Sequence, residues 1–162
     1  WNYTFSVNSL SYTARLIGKT RTDDTYWEMY ITQEGTGGFA DFLWFKGTSG
    51  PDGLEGQWVF NQSPASPVEM FRNEWTKTED LISSVKYTYV KDDTSLNSYI
   101  LYGLTTGSQN AGYSIHFTNG LYSDADIEWN KTDLTGRLKC ADYLHDINWH
   151  CWDSNRINIV CP

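Results

Sequence analysis

Period-two alternation of large apolar residues is the feature that most constrains this chain. Trp1, Tyr3, Phe5 and Val7 alternate with polar residues, Leu10, Tyr12, Ala14 and Leu16 follow, and Trp27, Met29 and Ile31 continue the pattern. The same rhythm returns in Val85, Tyr87 and Tyr89 and in Tyr113, Ile115 and Phe117. Successive side chains of a strand point to opposite faces, so each run reads as a strand with one apolar face. Turn-forming clusters separate the runs: Gly35-Thr36-Gly37-Gly38, Ser49-Gly50-Pro51-Asp52-Gly53, Asp92-Asp93-Thr94, Gly107-Ser108-Gln109-Asn110 and Asn119-Gly120. Connections this short join antiparallel neighbours, because parallel strands need a crossover of about a dozen residues or more.

The strands repeat. Residues 7–13 match residues 82–88 in alternation, and Tyr26 to Gly47 runs alongside Tyr99 to Gly120. Glu74-Trp75-Thr76-Lys77-Thr78-Glu79-Asp80-Leu81 returns, one residue shorter, as Glu128-Trp129-Asn130-Lys131-Thr132-Asp133-Leu134. The chain therefore reads as one domain, residues 1–162, with repeat units at about 5–81 and 82–134 and a closing segment at 135–162. The expected fold is all-β, a single antiparallel meander barrel of about eight to ten strands, with a β-sandwich as the alternative; closure protects sheet edges. Two segments compete for helix. Ser66-Pro67-Val68-Glu69 has capping-box spacing, which allows at most a helical turn before a strand carrying Trp75, and residues 141–147 read as a short helix.

Composition narrows the functional classes. Eight Trp, eleven Tyr and seven Phe in 162 residues exclude a disordered chain. A net charge of -8 disfavours nucleic acid and anionic membrane surfaces as partners. No apolar stretch has the roughly 20 residues of a membrane span. The chain starts on Trp1 inside a strand pattern, which leads to the expectation that an export signal or a lipid-attachment segment lies upstream of residue 1. Localisation is accordingly read as secreted, periplasmic or cell-surface. The sequons at Asn2, Asn61 and Asn130 would matter in a eukaryotic secretory pathway, and chance accounts for them in a chain rich in Asn, Ser and Thr.

Val85-Lys86-Tyr87-Thr88-Tyr89-Val90, the Glu-Trp hairpin and Trp149-His150-Cys151-Trp152-Asp153 resemble segments of uncharacterised secreted bacterial lipoproteins with lipocalin-like barrels. The likeness covers the latter half of the chain. The Gly-x-Trp of lipocalins, usual in the first strand, is absent at the start, and Gly56-Gln57-Trp58 stands in mid-chain. The resemblance implies a barrel and carries no catalytic residue across.

Chemistry-bearing residues concentrate near the C-terminal end, where Cys140, His145, Asp146, His150, Cys151, Asp153 and Cys161 lie. Their spacing is poor for a tetrahedral metal, so no metal or cofactor is expected. Three cysteines leave at least one without a partner in the chain. Cys151 and Cys161 are read as a disulfide clamping a hairpin around Asp153-Ser154-Asn155, with Cys140, at the repeat position of Tyr12 and Tyr87, as a buried structural thiol. Glu74 and Glu128 are repeat mates that could form a glycosidase pair. Each precedes a Trp on a strand, though, so a core Trp sends its Glu to solvent and no catalytic residue is assigned.

Stacking on a sugar needs exposed rings near turns, and Trp44, Trp58, Tyr102, Tyr122 and Trp152 are the candidates. The leading expectation is a non-catalytic domain binding a small apolar or sugar-like ligand. The alternatives are a structural or interaction module with a filled core and a small glycan-acting hydrolase.

Overall fold

The first two apolar runs meet through a two-residue turn. Asn8 and Ser9 both have positive φ, 49° and 66°, as a type I′ turn requires. Val7 pairs with Leu10 across it, joining β1 (Asn2–Val7) to β2 (Leu10–Thr20). Phe5 then faces Tyr12 and Tyr3 faces Ala14, so the two apolar series share one face. The expected match of residues 7–13 with 82–88 fails at this point. The first stretch bends through the turn, whereas the second runs uninterrupted inside β7 (Leu81–Tyr89). Asparagine tolerates the left-handed region, which lets a polar pair inside an alternating run become a turn.

A computed structural model describes residues 1–79 and 81–162. Asp80, in the first copy of the Glu-Trp repeat, lies outside the described residues. The chain divides into two compact units, Trp1–Leu81 and Ile82–Pro162. The first unit contains β1, β2, β3 (Thr25–Gln33), β4 (Phe39–Ser49), β5 (Glu55–Ser63) and β6 (Ser66–Thr78). The second contains β7, β8 (Tyr99–Leu104), β9 (Ala111–His116), β10 (Ala125–Trp129), β11 (Gly136–Cys140), the turn-long α1 (Ala141–Leu144), β12 (His150–Trp152) and β13 (Asn158–Ile159). Within each unit the strands pair antiparallel in chain order.

The all-β meander is thus present, with thirteen strands among the described residues instead of eight to ten. Among the described residues the last strand of neither unit pairs with its first, so the expected barrel does not close within a unit. About eight strands give an interior just wide enough for side chains, and the two units have six and seven. The helical turn expected after Ser66 is also absent. Pro64 and Ala65 form a hairpin turn that sets Ser66 opposite Ser63, and Pro67 sits at the start of a strand, where its missing N–H costs least. The helix expected over 141–147 stops at Leu144, ended by His145 at φ 60°. Among the described residues no helix is long and apolar enough to cross a membrane.

In each unit the strands present an apolar and a polar face. In the first unit Leu16, Met29, Phe45, Phe60 and Phe71 form one row across five strands. Phe45 is its centre at 7% exposure, with ring centroids of Trp58, Phe60 and Trp44 at 4.5, 5.3 and 5.6 Å. Towards the β1 edge the same face opens, leaving Trp1 79% and Tyr3 70% exposed. On the opposite face Arg15 pairs with Asp41 at 2.8 Å and lies over the Tyr30 ring, and the Tyr26 hydroxyl donates to Glu28 at 3.2 Å. Partial burial, followed by the Glu28 contact, pushes the Tyr26 hydroxyl pKa above its usual value. In the second unit Val85, Tyr102, Tyr113, Ile127 and Leu138 make the apolar row, while Ser114 and Lys139 hold Asp126 on the polar face.

Among the described residues, tryptophan lies across a glycine on the neighbouring strand three times: Trp27 over Gly18, Trp75 over Gly56 and Trp152 over Gly136. A Cβ on Gly18 would lie 2.7 Å from Trp27 Cζ3, and one on Gly56 2.7 Å from Trp75 Cζ2. A Cβ on Gly136 would collide with both the Trp152 ring and the Glu128 carbonyl. Gly103, also mid-strand, has open space in that direction. Gly136→Ala is therefore expected to cost about 1–3 kcal/mol in denaturant unfolding, the range for overpacking. Gly103→Ala is expected to be neutral or slightly stabilising. Equal effects of the two substitutions would contradict this packing.

Candidate functional site

One register row of the second unit runs Trp129, Gly136, Trp152, Asn158 across β10 to β13. Alternation puts all four on the apolar face, and the glycine leaves the space between the two tryptophans without a side chain. Trp152 lies over that gap, and its indole N–H donates to the Leu134 carbonyl at 2.7 Å. An open groove of about 420 Å³ results, lined by Trp129, Leu134, Trp152, Arg156 and Asn158.

Two hydrogen-bonded turns hold its rim. In the β10–β11 turn, Asn130 Oδ1 accepts from the N–H of Thr132 and Asp133, and Asn130 Nδ2 donates to the Ser108 carbonyl at 2.8 Å. The Asn130 amide of that sequon is thus committed within the fold. Asp133 accepts from the Thr135 hydroxyl and N–H, which holds its carboxyl below the usual carboxylate range. In the β12–β13 turn, Asp153 Oδ1 accepts from the N–H of Asn155 and Ile157, and the Arg156 N–H donates to the Asp153 carbonyl at 2.9 Å. Leu134 and Arg156 both adopt left-handed backbone conformations, φ 66° and 63°. A bulky residue in this region costs of order 1–2 kcal/mol, which the surrounding hydrogen bonds must offset.

The expected disulfide is present: Cys151 and Cys161 are bonded, with Cα atoms 5.1 Å apart, and tie β12 to the segment after β13. Cys140 is free and half-buried rather than buried. Of the candidate ligand-binding rings, Trp152 lines the groove, and Tyr102 stands behind it, 6.2 Å from Trp129 in a row with Tyr113. Tyr122 lies elsewhere, against Phe117 in the β9–β10 connection. Trp44 and Trp58 belong to the first unit and pack on Phe45. Trp129, Leu134, Arg156 and Asn158 escape a reading based on exposed rings, because only strand register brings them together.

The remaining candidate groups form pairs. Glu128 lies on the face opposite Trp129 and binds Arg137 at 2.6 Å. His116 meets Asp124 at 2.7 Å, and that contact, with the Phe117 N–H, lowers the Asp124 carboxyl pKa. His150 meets Asp146 at 2.9 Å; Asp146 is lowered first by the Asn148 N–H and then by this imidazole. Among the described residues, no three His, Cys, Asp or Glu side chains gather as a metal site would. Comparisons with known proteins find no matching family model, no matching curated protein and no matching solved structure.

A ten-residue separation makes the disulfide worth about 2–3 kcal/mol in the chain-entropy model. The Cys151→Ala/Cys161→Ala double variant is expected to lose that amount in urea unfolding. Unreduced, denatured protein should titrate one thiol, and three thiols would contradict the bond.

Proposed function

We propose that this chain is an exported, non-catalytic binding module that holds a sugar in the Trp129–Trp152 groove. The observation that carries the reading is the register row itself: Trp129 and Trp152, set on either side of Gly136 in the register, line one open groove together with an amide and a guanidinium. A pyranose presents a C–H-rich face that covers an indole ring and hydroxyls that hydrogen-bond to such polar groups. A small apolar ligand is held differently, by a concave site burying most of its surface, and this groove is open. Catalysis of glycoside cleavage takes two carboxyls, and the groove lining, among the described residues, holds none. The disulfide supports export, since such bonds persist in oxidising compartments. A secreted or surface-anchored bacterial lipoprotein is the corresponding cellular setting.

A glycan array followed by calorimetry tests the function. Trp129→Ala is expected to weaken binding at least tenfold, about 1.4 kcal/mol, while Tyr122→Ala, on a different connection, leaves it unchanged. If no glycan binds the parent chain, the sugar reading fails. The open aromatic edge around Trp1 and Tyr3 would then be the stronger functional feature, as an interaction surface.

A further inference from the structure

The aromatic walls of the groove suit sugars in general, and its charged member discriminates among them. Resting on the sugar reading above, we propose that the ligand is an acidic glycan, a hexuronate or similar carboxylate-bearing pyranose, with its carboxylate on Arg156 and its ring on Trp152. Arg156 is the charged residue of the lining, and among the described residues it has no ion-pair partner. Arg137 and Lys139 lie on the opposite face, where Glu128 and Asp126 hold them and both cations stack against Trp149. Asp153, the nearest acidic residue in sequence, spends its Oδ1 on the N–H groups of Asn155 and Ile157.

The backbone of Arg156 is fixed before any ligand arrives. It sits in the Asp153 turn, and the disulfide closes the chain around that turn, so binding orders few further bonds. A planar guanidinium with paired donors matches a carboxylate bidentately, the acid group that pyranoses most directly carry as a uronate. The chain's net charge of -8 opposes long-range attraction of polyanions. Recognition of the acid is therefore local, through this one contact.

Calorimetry with oligogalacturonate and its methyl ester isolates that contact, since esterification removes the charge and keeps the ring. The parent chain is expected to bind the acid at least tenfold more tightly than the ester. Arg156→Gln should erase this ratio, the acid losing far more affinity than the ester, while thermal stability is unchanged. Equal binding of acid and ester by the parent chain would overturn the proposal, as would an equal loss for both ligands in Arg156→Gln. Binding of a sulfated galactan, but not of uronates, with the same Arg156 dependence would overturn the carboxylate assignment. Binding of neutral glycans alone would sink the acidic reading and leave the sugar groove standing, whereas silence toward every glycan would remove both.

Discussion

A tryptophan lying across a glycine on the next strand is the interaction from which much of this structure follows. Glycine inside a strand weakens the sheet, because it has no side chain to pack and loses more conformational freedom on folding. The neighbouring indole repairs the deficit by covering the bare backbone, an arrangement also used to rescue strand glycines in designed sheets. It specifies register as well. A slip of one residue would turn the ring to the opposite face and leave the glycine uncovered. Gly18, Gly56 and Gly136 are covered in this way by Trp27, Trp75 and Trp152.

The groove is a consequence of the same device. Trp152 rests on Gly136 and so lies flat, while Trp129 flanks the glycine from the other side. Any larger residue at 136 would lift the ring and fill the space. The aromatic walls of the groove thus come from the same contact that holds β11 and β12 in register, while the left-handed backbones of Leu134 and Arg156 beside them are held by their turns. The opposite face follows different rules. Exposed ion pairs such as Arg15–Asp41 contribute little in solvent. Their long stems and stacked cations nonetheless cover the sheet, as Arg15 does over Tyr30 and Arg137 over Trp149.

Much of the fold was legible in the sequence because alternation and turn chemistry are local. Trp27, Met29 and Ile31 share the apolar face expected of them, and Cys151 and Cys161 are bonded across a hairpin. Features set by pairing were not legible. Asn8-Ser9 fits an alternating strand as readily as a type I′ turn, and only the contact of Phe5 with Tyr12 decides for the turn. Ser66-Pro67 satisfies a helix-start pattern that the hairpin with β5 overrides. Whether the meander closes depends on strand number and stagger, which no local pattern encodes. The site divides similarly. Trp152 shows itself as a ring beside a turn, whereas Arg156 and Trp129 are far apart in sequence and come to line one groove through two strand pairings. Trp44 resembles a ligand-stacking ring in the sequence, but it is the extra residue of a bulge, where β4 gains one position against Met29 and Tyr30.

Glycine Hα chemical shifts test the central interaction directly. An indole face stacked on a strand glycine shields that glycine's Hα protons by its ring current. The structure predicts Hα resonances of Gly18, Gly56 and Gly136 well upfield of the ordinary glycine range, with Gly103 inside it. Replacing Trp152 by Leu should return Gly136 alone to that range. Unshifted Hα resonances at all three glycines in the folded chain would contradict the account.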